Sequence, residues 1–301
     1  MKKKLLALAM TAVIVMGAAA CSPSKEETNT ADDTSNTQTE EPAGMTGAIS
    51  VVSREEGSGT RGAFVELMEV VDESDNDMTT LTAEITNSTS VMLTTVAGNK
   101  QSIGYVSLGS LSDDVKAVKV DGIEASISDI KNGSYKVSRP FLIVYKDGQL
   151  SDIAQDYMKF ILSAEGQKIV GEHGYIAAVD NTEAYAASGL SGKLVLAGST
   201  SVSPIMEILA DEYKKLNPDV TVEIQQTGSG AGITSAIEGV CDFGMSSREL
   251  KESEAAELTK AQIAIDGIAV IVNKENPVDD ISSEQIKNIY LGQTTDWSEI
   301  Q

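Results

Sequence analysis

The chain has little of what enzymes and disulfide-rich proteins depend on. Its 301 residues include two cysteines, one histidine and one tryptophan. Beyond Cys21 the only cysteine is Cys241, so the folded part cannot form an internal disulfide. One histidine, His173, is too few for clustered metal ligands and lies far in sequence from every serine-rich turn, which disfavours a hydrolase. We therefore expect no catalytic residue, no metal and no cofactor.

Basic residues are also scarce. There are 23 lysines and arginines against 45 acidic residues, giving a formal net charge of −22. This balance argues against binding to nucleic acid and against electrostatic docking on anionic lipid. Any anion bound by this chain must instead be held by local dipoles and hydrogen bonds. After residue 20, no stretch approaches the roughly 20 apolar residues that a membrane helix needs.

The N-terminus predicts export and a lipid anchor. Three lysines at 2–4 precede a short apolar run over 5–20 that ends in small residues, the pattern of a secretory signal peptide. Cys21 follows directly and resembles the acylated cysteine of bacterial lipoproteins, although Ala18 stands where leucine is usual. An ordinary signal peptide with an incidental cysteine is the alternative. We predict a signal peptide over 1–20 and a lipidated, disordered tether over 21–46, because that segment is almost wholly polar.

The remaining residues alternate between strand and helix patterns. The β-branched runs at 49–52, 193–197 and 220–224 are each followed by a glycine-rich turn and a helical segment. This alternation predicts an α/β fold with largely parallel strands. The polar stretch 180–192 predicts a linker between two halves. The folded part is long enough for one large domain or two lobes.

Three turns that lead from a strand to a helix share one composition. Each offers glycines that allow close backbone approach, hydroxyl groups, and free amides at the start of a helix, which together suit an oxyanion. One such turn means little, since glycine–serine turns are common. Three in one chain predict an anion site, and none fits a nucleotide P-loop because no lysine follows the last glycine. The turns are Gly57–Gly62, Gly198–Pro204 and Thr227–Gly232.

Charged residues stand just before the first of these turns. Arg54 could make a forked contact to two oxygens of a tetrahedral anion. A carboxylate such as Glu56 would accept a hydrogen bond from monohydrogen phosphate and repel sulfate, which carries no proton. The alternative is a solvated ion pair between Arg54 and Glu56.

These motifs resemble those of the phosphate ABC transporter substrate-binding proteins, the PstS family. Ser53–Arg61 resembles the family's phosphate-contacting segment, and the similarity covers nearly all of 47–301. It implies a two-lobed, periplasmic-binding-protein-like α/β fold, each lobe a mostly parallel sheet flanked by helices, with the ligand in the cleft between the lobes. The other similar stretches are 163–167, 174–175, 198–201, 228–232, 242–248, 268–272, 286–292 and Trp297.

The two halves resemble the family in exchanged order, as in a circular permutation joined at 180–192. Carried over by position, one lobe (lobe II) comprises 47–137 plus 273–301, and the other (lobe I) comprises 138–272 with the linker. Permutation is tolerable because the termini of a domain are often close together. We expect a monomer. Two alternatives are that neighbouring chains exchange halves and that this chain is a piece of a longer tandem protein.

The resemblance also implies a set of phosphate ligands. Glu56 stands where the family commonly has aspartate, so the acceptor role is kept with a longer side chain. Ser247 stands where some members have a second aspartate, and a hydroxyl is not an obligate acceptor. Arg248 is expected to be a surface or interlobe charge. The implied ligands are Arg54, Glu56, Ser58, Gly59, Thr60, Thr200, Ser201, Ser229 and Ser247.

The function implied by the resemblance is capture of inorganic phosphate for an ABC-type permease. The protein would lie on the extracellular face of the cell membrane, anchored through Cys21. Two alternatives remain open within the binding fold. One is a binding protein for another tetrahedral oxyanion such as sulfate, and the other is a phosphate-sensing lipoprotein that serves no importer.

Overall fold

The computed structural model describes residues 45–74, 76–180 and 183–300. The predicted signal peptide, Cys21 and most of the predicted tether lie outside the described residues. None of the described helices is both long enough and apolar enough to span a membrane. The strands are β1 (Ser50–Arg54), β2 (Glu84–Thr86), β3 (Ser102–Ser107), β4 (Val115–Ala117), β5 (Lys119–Val120), β6 (Ser138–Tyr145), β7 (Ile176–Ala177), β8 (Gly192–Gly198), β9 (Val220–Gln226), β10 (Phe243–Ser246), β11 (Thr259–Asn273) and β12 (Asp280–Ile281).

Serine hydroxyls determine where most of the helices begin. In six of the described helices the N-cap serine accepts a hydrogen bond from a first-turn amide. Each such cap contributes about 1 kcal/mol. Two helices follow each other closely over 152–172, and Ser163 caps the second of them. The α-helices are α1 (Gly59–Leu67), α2 (Thr89–Gly98), α3 (Ile127–Lys131), α4 (Asp152–Ile161), α5 (Ala164–Glu172), α6 (Ser203–Leu216), α7 (Ser229–Glu238), α8 (Glu252–Ala255) and α9 (Ser283–Tyr290), with 3₁₀ turns at Leu108–Ser110 and Trp297–Glu299.

One curled, mixed sheet runs through the molecule in the order β2-β1-β3-β11-β6-β10-β8-β9, with β4 and β7 added along β11. Two parallel sets stand at its ends, β2-β1-β3 and β10-β8-β9. Between them, β11 and β6 pair antiparallel with each other and with their neighbours. The predicted α/β class is confirmed, and the parallel pairing applies to each end of the sheet rather than to its centre.

Two large apolar cores define two lobes. One, here called the Tyr157 lobe, packs α4, α5 and α6 against β6 and β8 and includes Phe141, Leu196 and Tyr213. The other, the Phe64 lobe, packs α1 and α9 against β1 and β3. In the Phe64 lobe, the rings of Phe64 and Tyr105 are stacked with their centroids 4.0 Å apart. Each lobe therefore has enough buried apolar surface to hold its own end of the sheet.

The long strand β11 belongs to both lobes. Its first part supplies Ile263 and Ala264 to the Tyr157 core, and its second part supplies Ile268 and other residues to the Phe64 core. The sequence places a lobe boundary after residue 272, and this boundary stays a prediction. In the structure, β11 is a single strand that contributes to both cores. Between the two parts, Asp266 pairs with Arg139 of β6 at 3.1 Å, and both residues are buried.

The first and last described segments lie side by side. The amide of Ile49 donates to the carbonyl of Thr295 at 2.8 Å, and the amide of Trp297 donates to the carbonyl of Gly47 at 3.0 Å. The Trp297 ring is fully buried in the Phe64 core. Both ends of the folded part are therefore tied into the same lobe.

Candidate functional site

The first turn joins β1 to α1. Arg54 ends the strand, and Ser58 caps the helix by accepting a hydrogen bond from the Arg61 amide at 3.3 Å. The backbone of Arg54 is held from two sides: its amide donates to the Tyr105 hydroxyl, and its carbonyl accepts from the Arg61 guanidinium at 2.8 Å. The predicted strand-to-helix context is therefore present, with Ser58, Gly59 and Thr60 at the helix start, all buried.

The second turn joins β8 to α6, and a glycine is required there. A Cβ on Gly198, whose φ is +140°, would lie 2.3 Å from the carbonyl oxygen of Met245 on the neighbouring strand. The turn then presents Thr200 and Ser201, and Pro204 occupies the first turn of α6. Thr200 and Ser201 are 6% and 1% exposed.

The third turn joins β9 to α7. Gly228 is the N-cap, with a φ of +88°, and Ser229 is the first helical residue and fully buried. The neighbouring Ser247 follows β10 on the same edge of the sheet. Its amide donates to the Ser229 hydroxyl oxygen at 3.1 Å, and its own hydroxyl accepts from Ser199 at 2.9 Å.

The three turns meet in one place. A Cβ on Gly59 would stand 2.3 Å from the Ser229 hydroxyl oxygen and 2.6 Å from that of Ser247. The Thr60 and Ser201 hydroxyl oxygens are 2.8 Å apart. The Gly230 amide donates to the Gly57 carbonyl at 3.0 Å. Turns that are distant along the chain thus converge from both lobes, and helices α1, α6 and α7 all begin at the same point.

Arg54 reaches into this convergence from the end of β1. Its Nη2 donates to the Thr200 hydroxyl at 3.0 Å and to Oε1 of Glu55 at 2.8 Å, while its Nε donates to the other Glu55 oxygen. The guanidinium is buried, and Glu55 offsets its charge. The cluster is therefore rich in hydrogen-bond donors but carries little net charge, as the overall acidity of the chain led us to expect.

Glu56 is the predicted ligand that the structure does not bring to the cluster. It is exposed, and Glu55 holds Arg54 instead. Arg248 pairs with Glu254 at 2.8 Å, away from Arg54. His173, the only histidine, is exposed at the end of α5. Within the described ranges, no group of three or more acidic, histidine or cysteine residues is arranged to hold a metal ion.

Sequence reasoning missed three residues that lie in the cluster. The sequence points to Glu56, whereas in the structure the carboxylate of Glu55 folds back on Arg54. Ser199 and Thr89 are the other two: Ser199 donates to the Ser247 hydroxyl at 2.9 Å. Thr89 begins α2, and its hydroxyl lies 3.3 Å from the hydroxyl oxygens of both Thr200 and Ser201. The segment Asn87–Ser90 is polar and leads from β2 into α2, but it contains no glycine that would mark it as a binding turn.

Two α/β lobes that share a sheet and close on a cleft lined by helix starts are typical of periplasmic-type binding proteins. The family model described as the PBP superfamily domain matches residues 14–165 and 183–301. The comparison with individual proteins is more specific. The chain is 53% identical to the phosphate-binding protein PstS 2 of Streptococcus agalactiae serotype V, over 84% of this chain and 88% of that protein.

Two further comparisons extend over the folded part. The chain is 42% identical to the phosphate-binding protein PstS 2 of Streptococcus pneumoniae serotype 4, over 99% of each. The crystal structure of a phosphate-binding protein of a phosphate ABC transporter from Streptococcus pneumoniae TIGR4 matches with a TM-score of 0.69 at 46% identity, covering 85% of this chain and 100% of that one. The chain belongs to the PstS family of phosphate-binding proteins, and the resemblance seen in its motifs is confirmed.

Proposed function

We propose that this protein captures inorganic phosphate in the interlobe cluster and delivers it to the permease of an ABC importer. The observation that carries the proposal is the convergence of three helix starts on Arg54, with buried hydroxyls from both lobes. Helix N-termini and hydroxyl donors stabilise an oxyanion without a net positive field. The two PstS 2 proteins and the pneumococcal structure compared above are named as phosphate-binding proteins, which supports the same ligand.

The proposed ligands are those implied by the family without Glu56, whose side chain is exposed and lies outside the cluster. Arg54, Thr200 and Ser229 stand on three different elements, so a tetrahedral anion would be contacted from several directions. Hydrogen bonds to a charged oxygen contribute about 1.5–3 kcal/mol each when they are shielded from water. Closure of the lobes would expel water from the cluster, and the closed form would be the one that the permease recognises.

Calorimetric titration of the purified protein with phosphate and with sulfate tests the proposal. We expect saturable binding of phosphate with a stoichiometry of about one and much weaker binding of sulfate. Equal affinity for both anions would favour the more general oxyanion-binding function. No heat with either would contradict the proposal. Calorimetry is preferred to fluorescence, because the single tryptophan, Trp297, is buried in the Phe64 core.

We also propose extracellular attachment through Cys21. The support is the sequence alone: a basic start, a short apolar run and a cysteine at its end. Acyl chains contribute about 0.8 kcal/mol per buried methylene, so a multiply acylated cysteine anchors stably. Replacing Cys21 with serine is expected to release the protein from the membrane fraction, and retention in that fraction would contradict the anchor.

The exchanged order of the halves is a proposal as well. Its support is the pairing of Gly47 and Ile49 with Trp297 and Thr295, which puts the two ends of the folded part next to each other. When the two termini of a domain lie close together, they can be linked and new termini can be opened in a loop elsewhere without loss of the fold. The linker 180–192 would then join what are the two chain ends in the usual order. Lobe II would be built from 47–137 and 273–301, the first and last segments of the folded part.

A further inference from the structure

Thr89 lies in the cluster although no sequence motif pointed to it. It is the first residue of α2, on the inward face that continues through Met92 and Val96. Met92 and Val96 pack in a smaller core with Val52 of β1 and Val106 of β3. Because β1 and β3 belong to the Phe64 lobe, Thr89 approaches from that lobe, whereas Thr200 and Ser201 belong to the Tyr157 lobe. Thr89 is 6% exposed and reaches across the cleft to both hydroxyls.

The hydroxyl of Thr89 is buried, and its hydrogen bonds are long. Its two contacts are both 3.3 Å long, whereas O–H···O hydrogen bonds are usually 2.5–3.0 Å. Its two neighbours already have shorter partners, since Thr200 accepts from Arg54 at 3.0 Å and Ser201 lies 2.8 Å from Thr60. A hydrogen bond to a charged phosphate oxygen would therefore be stronger than either of the contacts that Thr89 now makes.

The hydrogens of these hydroxyls can also be counted. Thr200, Thr89, Ser201 and Thr60 form a chain of four hydroxyl groups joined by three contacts. Each hydroxyl carries one hydrogen, so three contacts use three hydrogens and leave one donor without an acceptor in the chain. Arg54 adds a further donor at the Thr200 end. The group therefore lacks an acceptor, which is what a phosphate oxygen supplies.

The start of α2 adds donors in the same direction. Ser88 caps the helix by accepting from the Val91 amide with its side chain at 3.2 Å and from the Met92 amide with its carbonyl at 3.1 Å. Because the first four amides of a helix have no intrahelical partner, the amides of Thr89 and Ser90 are left for partners outside it. A fourth helix start therefore faces the cleft beside those of α1, α6 and α7.

We propose that Thr89 is a further phosphate-binding residue, contacting an oxygen of the anion through its hydroxyl when the lobes are closed. This inference rests on the proposed phosphate-binding function. Thr89 differs from the ligands implied by the family because it comes from α2, so the anion would be contacted by two helices of the Phe64 lobe rather than one. Its contribution adds to that of Ser58–Thr60.

The test compares two substitutions at one position with a matched control on the same helix. Thr89→Val keeps the shape and removes the hydroxyl, and Thr89→Ser keeps the hydroxyl. Thr94→Val makes the same chemical change at an exposed position, where the hydroxyl bonds only the Ser90 carbonyl. Phosphate dissociation constants are measured by calorimetry, and melting temperatures are measured with and without phosphate.

We expect Thr89→Val to weaken phosphate binding about tenfold or more, because a hydrogen bond to a charged acceptor is lost. Thr89→Ser should bind within about threefold of the unchanged protein, and Thr94→Val should bind equally well. The melting temperature of Thr89→Val should be lower than that of the unchanged protein only when phosphate is present, because phosphate then stabilises the variant less.

Three results would overturn the inference. They are unchanged phosphate affinity in Thr89→Val, equal weakening in Thr89→Ser, and a fall in melting temperature that is the same with and without phosphate. The last would mean that Thr89 only ties the lobes together. If the unchanged protein itself gives no binding heat, the proposed function fails, and this inference fails with it.

Discussion

Two buried arginines near the junction of the lobes have different surroundings. Arg139 pairs with Asp266, whose side chain is 0% exposed, and its guanidinium lies 5.3 Å from the centre of the Phe141 ring. Arg54 pairs with Glu55, whose side chain is 27% exposed, and also donates to a hydroxyl in the cleft. Arg139 is thus enclosed between strands, whereas Arg54 has a partner that reaches water and a face toward the proposed ligand. The comparison separates an arginine that stabilises the fold from one that is available to an anion.

The largest expected effect is on the enclosed pair. Asp266→Ala would leave the Arg139 charge buried without a partner, and we expect a loss of about 3–5 kcal/mol in the free energy of unfolding. Urea denaturation measures it. The double variant Arg139→Met with Asp266→Leu removes both charges and should recover more than half of that loss, because a buried ion pair is replaceable by apolar groups. A single variant that loses less than about 1 kcal/mol would contradict the assignment of Arg139 as structural.

Substitution of Arg54 should change phosphate affinity more than the free energy of unfolding. Arg54→Lys keeps the charge, but a lysine cannot donate to both Glu55 oxygens and to Thr200 in the same fixed geometry. We expect phosphate affinity to fall roughly 10- to 150-fold, the equivalent of one charge-assisted hydrogen bond. Calorimetry measures this change. Arg248→Lys, at a pair outside the cluster, is the matched control and should bind as the unchanged protein does.

The comparison between the two arginines would fail if Arg54→Lys bound phosphate normally. It would also fail if Arg54→Lys lost as much free energy of unfolding as Asp266→Ala, because Arg54 would then be a structural residue too. In either case the cluster would have to bind its anion through hydroxyls and amides alone.

A further buried carboxylate, that of Asp156, holds the linker 180–192 by hydrogen bonds, and its expected effect is smaller. Asp156 of α4 accepts hydrogen bonds on one carboxylate oxygen from Tyr185, Ser188 and Tyr213 at 2.6–2.7 Å. Burial acts to raise the pKa of Asp156, but these hydrogen bonds outweigh it and leave the pKa below its usual value. Two of the donors lie in the linker, so this carboxylate fastens the linker to the Tyr157 lobe.

Asp156→Asn should lower the free energy of unfolding at neutral pH by about 1–3 kcal/mol. A carboxyl with a lowered folded-state pKa stabilises the fold above its unfolded pKa of about 3.9, and this contribution is lost as the pH falls through the folded-state pKa. The unfolding free energies of the variant and the unchanged protein should therefore converge in acid. Asp147→Asn, at an exposed position, is the control and should change little. A constant difference at all pH values would contradict the role of the Asp156 charge.

Much of this arrangement could be predicted from local patterns. The predicted helix after Pro204 is found as Ser203–Leu216, and the predicted strand at 220–224 is found as Val220–Gln226. These elements have clear apolar periodicity and clear ends. The apolar runs at 263–265 and 267–272 belong to one long strand, because β11 crosses between the lobes and pairs with neighbours from both. Such sharing depends on tertiary contacts that a local pattern does not contain.

The site was predictable where glycine marks it. Gly57, Gly198 and Gly228 have positive φ angles at the three turns. Because other residues rarely adopt such angles, the glycines mark these turns in the sequence. Thr89 has no such marker, and its position follows from how α2 packs on the sheet. The choice between Glu55 and Glu56 depends on which side chain folds back toward Arg54, and neighbouring identical residues give no local signal for that.

The smallest expected effect decides between these two glutamates. Glu55→Gln weakens an ion pair that is partly exposed to water, so we expect phosphate affinity to fall only about two- to fivefold. Glu56→Gln changes an exposed side chain and should leave both the phosphate affinity and the preference for phosphate over sulfate unchanged. The sequence alone predicted the reverse, because Glu56 stands where the family commonly has aspartate. Calorimetry with both anions on both variants separates the two views. If only Glu56→Gln narrows the preference for phosphate over sulfate, the Glu56 side chain must turn inward when phosphate binds. Glu55 would then serve only to neutralise Arg54 in the absence of ligand.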